Sequence, residues 1–168
     1  MAGRTTPAKS IPENISPETQ AIIERVTGNR YVDPRDLPSF LDLSGCKDLV
    51  DVSALGGGGV KRLDLRYCTG VVDVSALGGV KRLDLRYCTG VVDVSALGGV
   101  EHLVLRGCTG VVDVSALGGC IHLQHLELSW CTGVVDVSAL GASTTLQYLD
   151  LRECTGITDF SAVPNAIH

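Results

Sequence analysis

The segment VKRLDLRYCTGVVDVSALGG, Val60 to Gly79, is followed letter for letter by a second copy from Val80 to Gly99. Tandem copies must meet the same surroundings, so such a chain stacks equivalent units that bury equivalent faces. Related copies flank the identical pair, and six repeats run over 38–59, 60–79, 80–99, 100–122, 123–145 and 146–168. Their lengths are 22, 20, 20, 23, 23 and 23 residues, and every change falls between the Ser-Ala-Leu element and the next apolar run. Insertions therefore belong to one loop.

Within each repeat, alternation such as Leu83, Asp84, Leu85, Arg86 has period two, which predicts a half-buried strand with leucines on one face and charges on the other. The apolar face of one such strand is too small to be covered locally. Stability must come from stacking the next copy at about 4.7–4.9 Å, and isolated repeats are not expected to fold.

The L-x-x-L-x-L-x-x-C frame, as in Val80, Leu83, Leu85 and Cys88, resembles the leucine-rich repeat in its cysteine form. The V-x-D-V-S-A-L tail is similar to short-repeat subtypes of internalin-like bacterial proteins and protist repeat proteins. The resemblance implies an α/β solenoid: a right-handed superhelix with a concave parallel β-sheet, short helical turns or loops on the convex side, and a role in protein recognition. Departures are Pro38 in place of the first aliphatic and a final repeat that reaches Pro164 without a recognisable cap.

Three ladders follow from the register. Glycines 70, 90, 110, 133 and 156 follow the strand at a turn and are expected to need φ > 0, with Asp48 a tolerable substitute in the first repeat. Asp51, Asp73, Asp93, Asp113, Asp136 and Asp159 precede the Ser-Ala-Leu element, where a carboxylate can accept backbone N–H groups and cap a helical turn; a calcium ladder would need a second set of carboxylates beside it. Cys46, Cys68, Cys88, Cys108, Cys131 and Cys154 form a column suited to burial, and parallel thiols do not converge tetrahedrally on zinc. Cys120, in an inserted loop, is expected to be more accessible.

Residues 1–15 read as a flexible tail, and 16–37 as a capping helix with its linker. Ser16 suits an N-cap, Pro17 the first helical position and Gly28 the stop, while Ile22, Ile23 and Val26 make a narrow stripe to cover the first repeat. A short adaptor helix is the alternative reading.

With seven cysteines, an odd number, six of them at one place in the repeat, a reducing compartment is expected rather than a disulfide scaffold. The N-terminus lacks the apolar stretch of a secretory signal and no apolar run approaches the roughly 18 residues of a membrane span, so a cytoplasmic protein without membrane insertion is expected. A net charge of −5 argues against nucleic acid. No nucleophile is accompanied by a base and an orienting acid, and no phosphate loop is present, so neither enzyme activity nor a cofactor or metal is expected. His102 and His125 share a column, yet two ligands do not make a site.

The outward positions form four columns. The first is Phe40, Arg62, Arg82, His102, His125, Tyr148; the second Asp42, Asp64, Asp84, Val104, Glu127, Asp150. The third is Ser44, Arg66, Arg86, Arg106, Ser129, Arg152; the fourth Gly45, Tyr67, Tyr87, Gly107, Trp130, Glu153. Six arginines face six acids, so lateral Asp to Arg pairing and a nearly neutral face are expected. Arg, Tyr and Trp are the usual anchors of interfaces, which makes Tyr67, Tyr87, Arg106, Trp130 and Tyr148, with Arg66, Arg86 and Arg152, the candidate residues for a protein partner. The alternatives are a regulatory or adaptor subunit (ubiquitin-ligase, cyclase or GTPase related) and a structural or antigenic array of copied spacers. A monomer or a weak homodimer through the solenoid ends fits either. Val50, Val72, Val92, Val112 and Val135 should point outward as a further apolar ladder.

Overall fold

The computed structural model describes residues 14–168. One helix, α1 (Pro17–Thr27), precedes six strands: β1 (Phe40–Asp42), β2 (Arg62–Asp64), β3 (Arg82–Asp84), β4 (His102–Val104), β5 (His125–Glu127) and β6 (Tyr148–Asp150). They form one parallel sheet in chain order, with Leu41, Leu63, Leu83, Leu103, Leu126 and Leu149 in register. The α/β solenoid expected from the period is thus the observed architecture.

The core is one continuous stack in which each repeat contributes the same side chains. In the second repeat Val60, Leu63, Leu65, Cys68, Val71, Val74 and Leu77 are each no more than 1% exposed. Opposite the sheet, each Asp of the Val-x-Asp-Val-Ser ladder accepts the N–H of the Ser two residues on, at 2.8–3.0 Å. This bond holds a 3-10 turn at Ser53–Gly56, Ser75–Gly79, Ser115–Gly119 and Ser138–Ala142, while the third and sixth repeats keep the bond without the helical turn.

The glycine ladder differs from expectation. In the turns after the strands positive φ occurs at Gly45, Tyr67, Tyr87, Gly107, Trp130 and Glu153, three residues earlier, and not at glycines 70, 90, 110, 133 and 156. Those glycines answer to crowding instead: a Cβ on Gly110 would stand 2.8 Å from the Val91 carbonyl oxygen and 2.9 Å from that of Thr89. Asp48 is accommodated because no repeat precedes the first one, and its carboxylate meets Arg25 of α1 at 3.1 Å.

Helix α1 ends at Gly28, whose φ of 73° and N–H bond to the Glu24 carbonyl form a left-handed C-cap. At the other end Ser16 does not accept a helical N–H; its hydroxyl donates to Thr19 Oγ1. Ile22 and Ile23 are buried, whereas Val26, expected in the stripe, is 45% exposed. The inward face is completed by Thr19, whose hydroxyl donates to the Asp51 carbonyl at 2.6 Å. The expected tail lies outside the described residues up to residue 13; Ile15, its last member, is buried and its N–H bonds to Val32 O. At the other end of the stack Ile167 bridges Asp150 in parallel, so the edge of β6 carries an additional rung. None of the described helices is long and apolar enough to cross a membrane.

Candidate functional site

The open face of the sheet spans six strands, about 24 Å at the usual strand spacing. Along its far edge each strand leaves through a four-residue turn closed by a backbone bond, such as Cys68 N to Leu65 O at 3.0 Å. The third residue of that turn needs φ > 0, which normally selects Gly or Asn. Gly45 and Gly107 meet the requirement at φ 76° and 71°, but Tyr67, Tyr87 and Trp130 hold it at 62°, 60° and 65°. Their N–H groups still donate to the next repeat, as Tyr67 N to Arg86 O at 2.8 Å and Trp130 N to Arg152 O at 2.9 Å.

The rings make a shelf along this edge. Tyr67 and Tyr87 stack at 4.9 Å between centroids and 8° between planes, and the Tyr87 ring reaches over Gly107. Tyr67 and Trp130 are about half exposed. On the opposite edge, His102 stacks on His125 at 5.6 Å and His125 on Tyr148 at 4.2 Å, while Arg62 lies over the Phe40 ring at 4.9 Å. Burial, with His102 close by, lowers the His125 pKa and favours the neutral ring.

Between the two edges, pairing runs mainly within repeats rather than laterally. Arg66 Nη2 meets Asp64 at 2.7 Å and Arg152 Nη2 meets Asp150 at 2.6 Å, two residues apart in the chain in each case. The reason is local: each Asp already accepts the N–H of that same Arg, which brings the guanidinium back over the carboxylate. Lateral contacts are longer, from Arg66 to Asp84 at 3.9 Å and from Arg86 to Glu127 at 3.8 Å. Among the described residues Arg106 makes no ion pair, and its buried Nε has no hydrogen-bond partner.

Five thiols of the cysteine column donate to a leucine carbonyl of the preceding repeat: Cys68 to Leu43 at 3.1 Å, and Cys88, Cys108, Cys131 and Cys154 to Leu65, Leu85, Leu105 and Leu128 at 3.0 Å. Burial pushes the Cys68 thiol up to about 11 and those of Cys88 and Cys131 to about 12. Cys120, expected to be accessible, is 8% exposed, folded back toward the Ala116 carbonyl. Among the described residues no three His, Cys, Asp or Glu side chains converge as a metal site would need. The outward valines 50, 72, 92, 112 and 135 are each more than half exposed.

Of the candidates, the structure brings Tyr67, Tyr87 and Trp130 onto one edge, sets Tyr148 at the end of the other, and ties Arg66 and Arg152 to acids. The first-column cations Arg62 and Arg82 and the histidines were not among the candidates. The i to i+2 spacing of Asp and Arg was the available signal, since it commits two arginines of the third column to a carboxylate of their own repeat. Likewise, Gly45 and Gly107 in the fourth column marked it as the positive-φ position.

A parallel ladder of short strands, buried leucines at every rung and a thiol column beneath the turn make up the fold of a leucine-rich-repeat solenoid. The Leucine Rich repeat family model matches residues 119–139 and 142–160, and the upstream repeats carry the same frame. In three dimensions the chain is similar to an internalin, InlF, of Listeria monocytogenes, with a TM-score of 0.66 and 20% identity over 89% of this chain and 46% of that one. It thus spans about half the length of that internalin, and the likeness concerns the fold. Internalin C2 of the same organism matches with a TM-score of 0.47 and 20% identity, over 91% of this chain and 90% of that one. No curated protein sequence matches the chain.

Proposed function

We propose that this chain is a non-enzymatic recognition module that holds a protein partner on the concave face of its sheet, working in a reducing, cytoplasmic setting. One observation carries the reading: Tyr67, Tyr87 and Trp130 stand at a turn position that favours glycine, at a cost of roughly 1–2 kcal/mol each. The same column holds glycine twice, so the fold itself does not ask for a ring there. Strain kept at exposed aromatic side chains is the signature of a contact surface. The thiol column supports the compartment, because its five bonds to backbone carbonyls need reduced sulfur. An adaptor role for α1 has less support, since Ile22, Ile23, Thr19 and Arg25 are all engaged with the rest of the chain.

The test is affinity capture with mass spectrometry, comparing the intact chain with Tyr87→Gly and Trp130→Gly. Glycine is native to this turn in two repeats, so both variants keep the fold. Loss of a specific protein from both profiles is expected; profiles identical to that of the intact chain would point instead to a structural array.

A further inference from the structure

Six arginines and six acids occupy the four outward columns, yet what solvent meets is unequal. The side chains of Asp64, Asp84, Glu127 and Asp150 are only 11%, 23%, 14% and 1% exposed, while their partners Arg66, Arg86 and Arg152 are 37%, 36% and 56% exposed. These four acids lie lower than the arginines that neutralise them, while the other two, Asp42 in the first repeat and Glu153 in the last, are exposed outside the groove. Neither Arg62 nor Arg82 is ion-paired among the described residues: Arg62 rests on Phe40, and Arg82 stands beside the stacked histidines, close enough to disfavour a charge on His125. One shallow groove of about 190 Å³ runs over β2 to β5, with Arg62, Arg82, Arg86, His102 and His125 along its walls and the less exposed Asp64 and Asp84 between them. The accessible charge of the groove is therefore cationic on a chain whose net charge is −5.

We infer that this groove receives an acidic segment of the protein partner, its carboxylates gripped by Arg62 and Arg82 while an apolar or aromatic part lies on the Tyr67–Tyr87 shelf. The inference rests on the reading of the sheet face given above and adds the chemistry of what it takes. Guanidinium forks suit carboxylates because two parallel N–H donors match two oxygens. The buried acids matter as much: they cancel part of the field, so the small net positive charge of the groove suits a segment with a few carboxylates between apolar residues better than a densely charged polyanion such as nucleic acid. Attraction of this kind sets orientation and on-rate and weakens with salt.

The experiment is selection from a random peptide display library against the full chain, followed by affinity measurement of the selected peptides. Selected peptides should be enriched in Asp and Glu and lose at least about tenfold in affinity for Arg62→Ala and Arg82→Ala. They should lose a similar factor when their own carboxylates become amides. Selection against Arg62→Glu/Arg82→Glu should reverse the preference toward Lys and Arg. Binders without acidic bias that still depend on Trp130 would overturn this inference and leave recognition on the sheet face standing; an absence of binders would count against both. A single-stranded oligonucleotide that binds the same row more tightly than the selected peptides would overturn it in favour of nucleic acid. Circular dichroism of each variant confirms the fold before binding is scored.

Discussion

The ring of Tyr87 occupies the space that a side chain on Gly107 would need: an ideal Cβ there would stand 2.5 Å from the ring Cδ1 and 2.6 Å from Cε1. Gly107 is also at φ 71°. Two separate demands thus fall on one residue. Gly107→Ala should lose about 1–2 kcal/mol from the backbone alone, plus whatever it takes to move the ring. In a Tyr87→Gly background only the first part should persist. Urea unfolding of the four proteins in this cycle measures the difference, and equal losses in both backgrounds would mean that the ring moves aside freely.

Trp130 invites a complementary experiment, because its strain predicts that truncation is tolerated. Trp130→Gly relieves a positive-φ position at 65° while giving up the contacts of a half-exposed ring, so stability should stay within about 1 kcal/mol of the parent. Trp130→Val removes the same ring but places a β-branched residue at φ > 0, and should be less stable than the glycine variant by roughly 1–2 kcal/mol. Thermal denaturation distinguishes them; a valine variant as stable as the glycine one would remove the strain argument.

These turns also mark where reading the sequence stops. The inward leucines, the outward valines and the buried thiol column were legible because a period of two, repeated in register, leaves each side chain a single face. The sign of φ was not. In the sequence a Thr-Gly pair after the strand looks like the positive-φ turn, but glycines 70, 90, 110, 133 and 156 are required by the carbonyl oxygens of the preceding repeat, a contact between units that no single unit displays. The same blindness affected Cys120, whose burial depends on how an inserted loop folds back, and the arginines, whose pairing is decided by a local Asp that first binds the Arg N–H. Helix α1 was legible from Pro17 and Gly28, yet Val26 was assigned to the wrong side, because a helix this short turns its stripe to suit what Thr19 can reach.

The thiol ladder predicts a reactivity pattern. Burial holds Cys68, Cys88 and Cys131 at about 11, 12 and 12, so almost no thiolate exists near neutral pH. Iodoacetamide should leave the folded chain unmodified and label all seven thiols in urea. Cys108→Ala should cost about 0.5–1.5 kcal/mol by removing one of the two hydrogen bonds that the Leu85 carbonyl accepts, the other coming from the Cys88 N–H. Cys46→Ala should cost less, since the first repeat has no preceding carbonyl to satisfy. Mass spectrometry of the labelled protein, with urea unfolding of the two variants, checks both; rapid native labelling within the column would contradict the ladder.

The aspartate ladder gives the acid response. Asp113, Asp136 and Asp159 sit below the usual carboxylate range, because each accepts N–H and hydroxyl hydrogen bonds from the Ser two residues on. A folded pKa below the unfolded one means that the unfolded chain binds the extra proton. The stability from these groups is therefore complete above the unfolded value of about 3.9 and is lost as pH falls through the lowered folded values. Mutual repulsion works the other way, since Asp113 and Asp159 both push Asp136 up, and adding salt should weaken that part. Asp113→Asn keeps an acceptor for the Ser115 N–H without a titrating group, so it should flatten the decline of stability below pH 4 while leaving the neutral value close to that of the parent. Urea midpoints followed from pH 7 to pH 2 measure both limbs. If the asparagine variant declined as steeply as the parent, the acid sensitivity would belong to other carboxylates, with the buried, arginine-paired Asp150 of the open face as the next group to test.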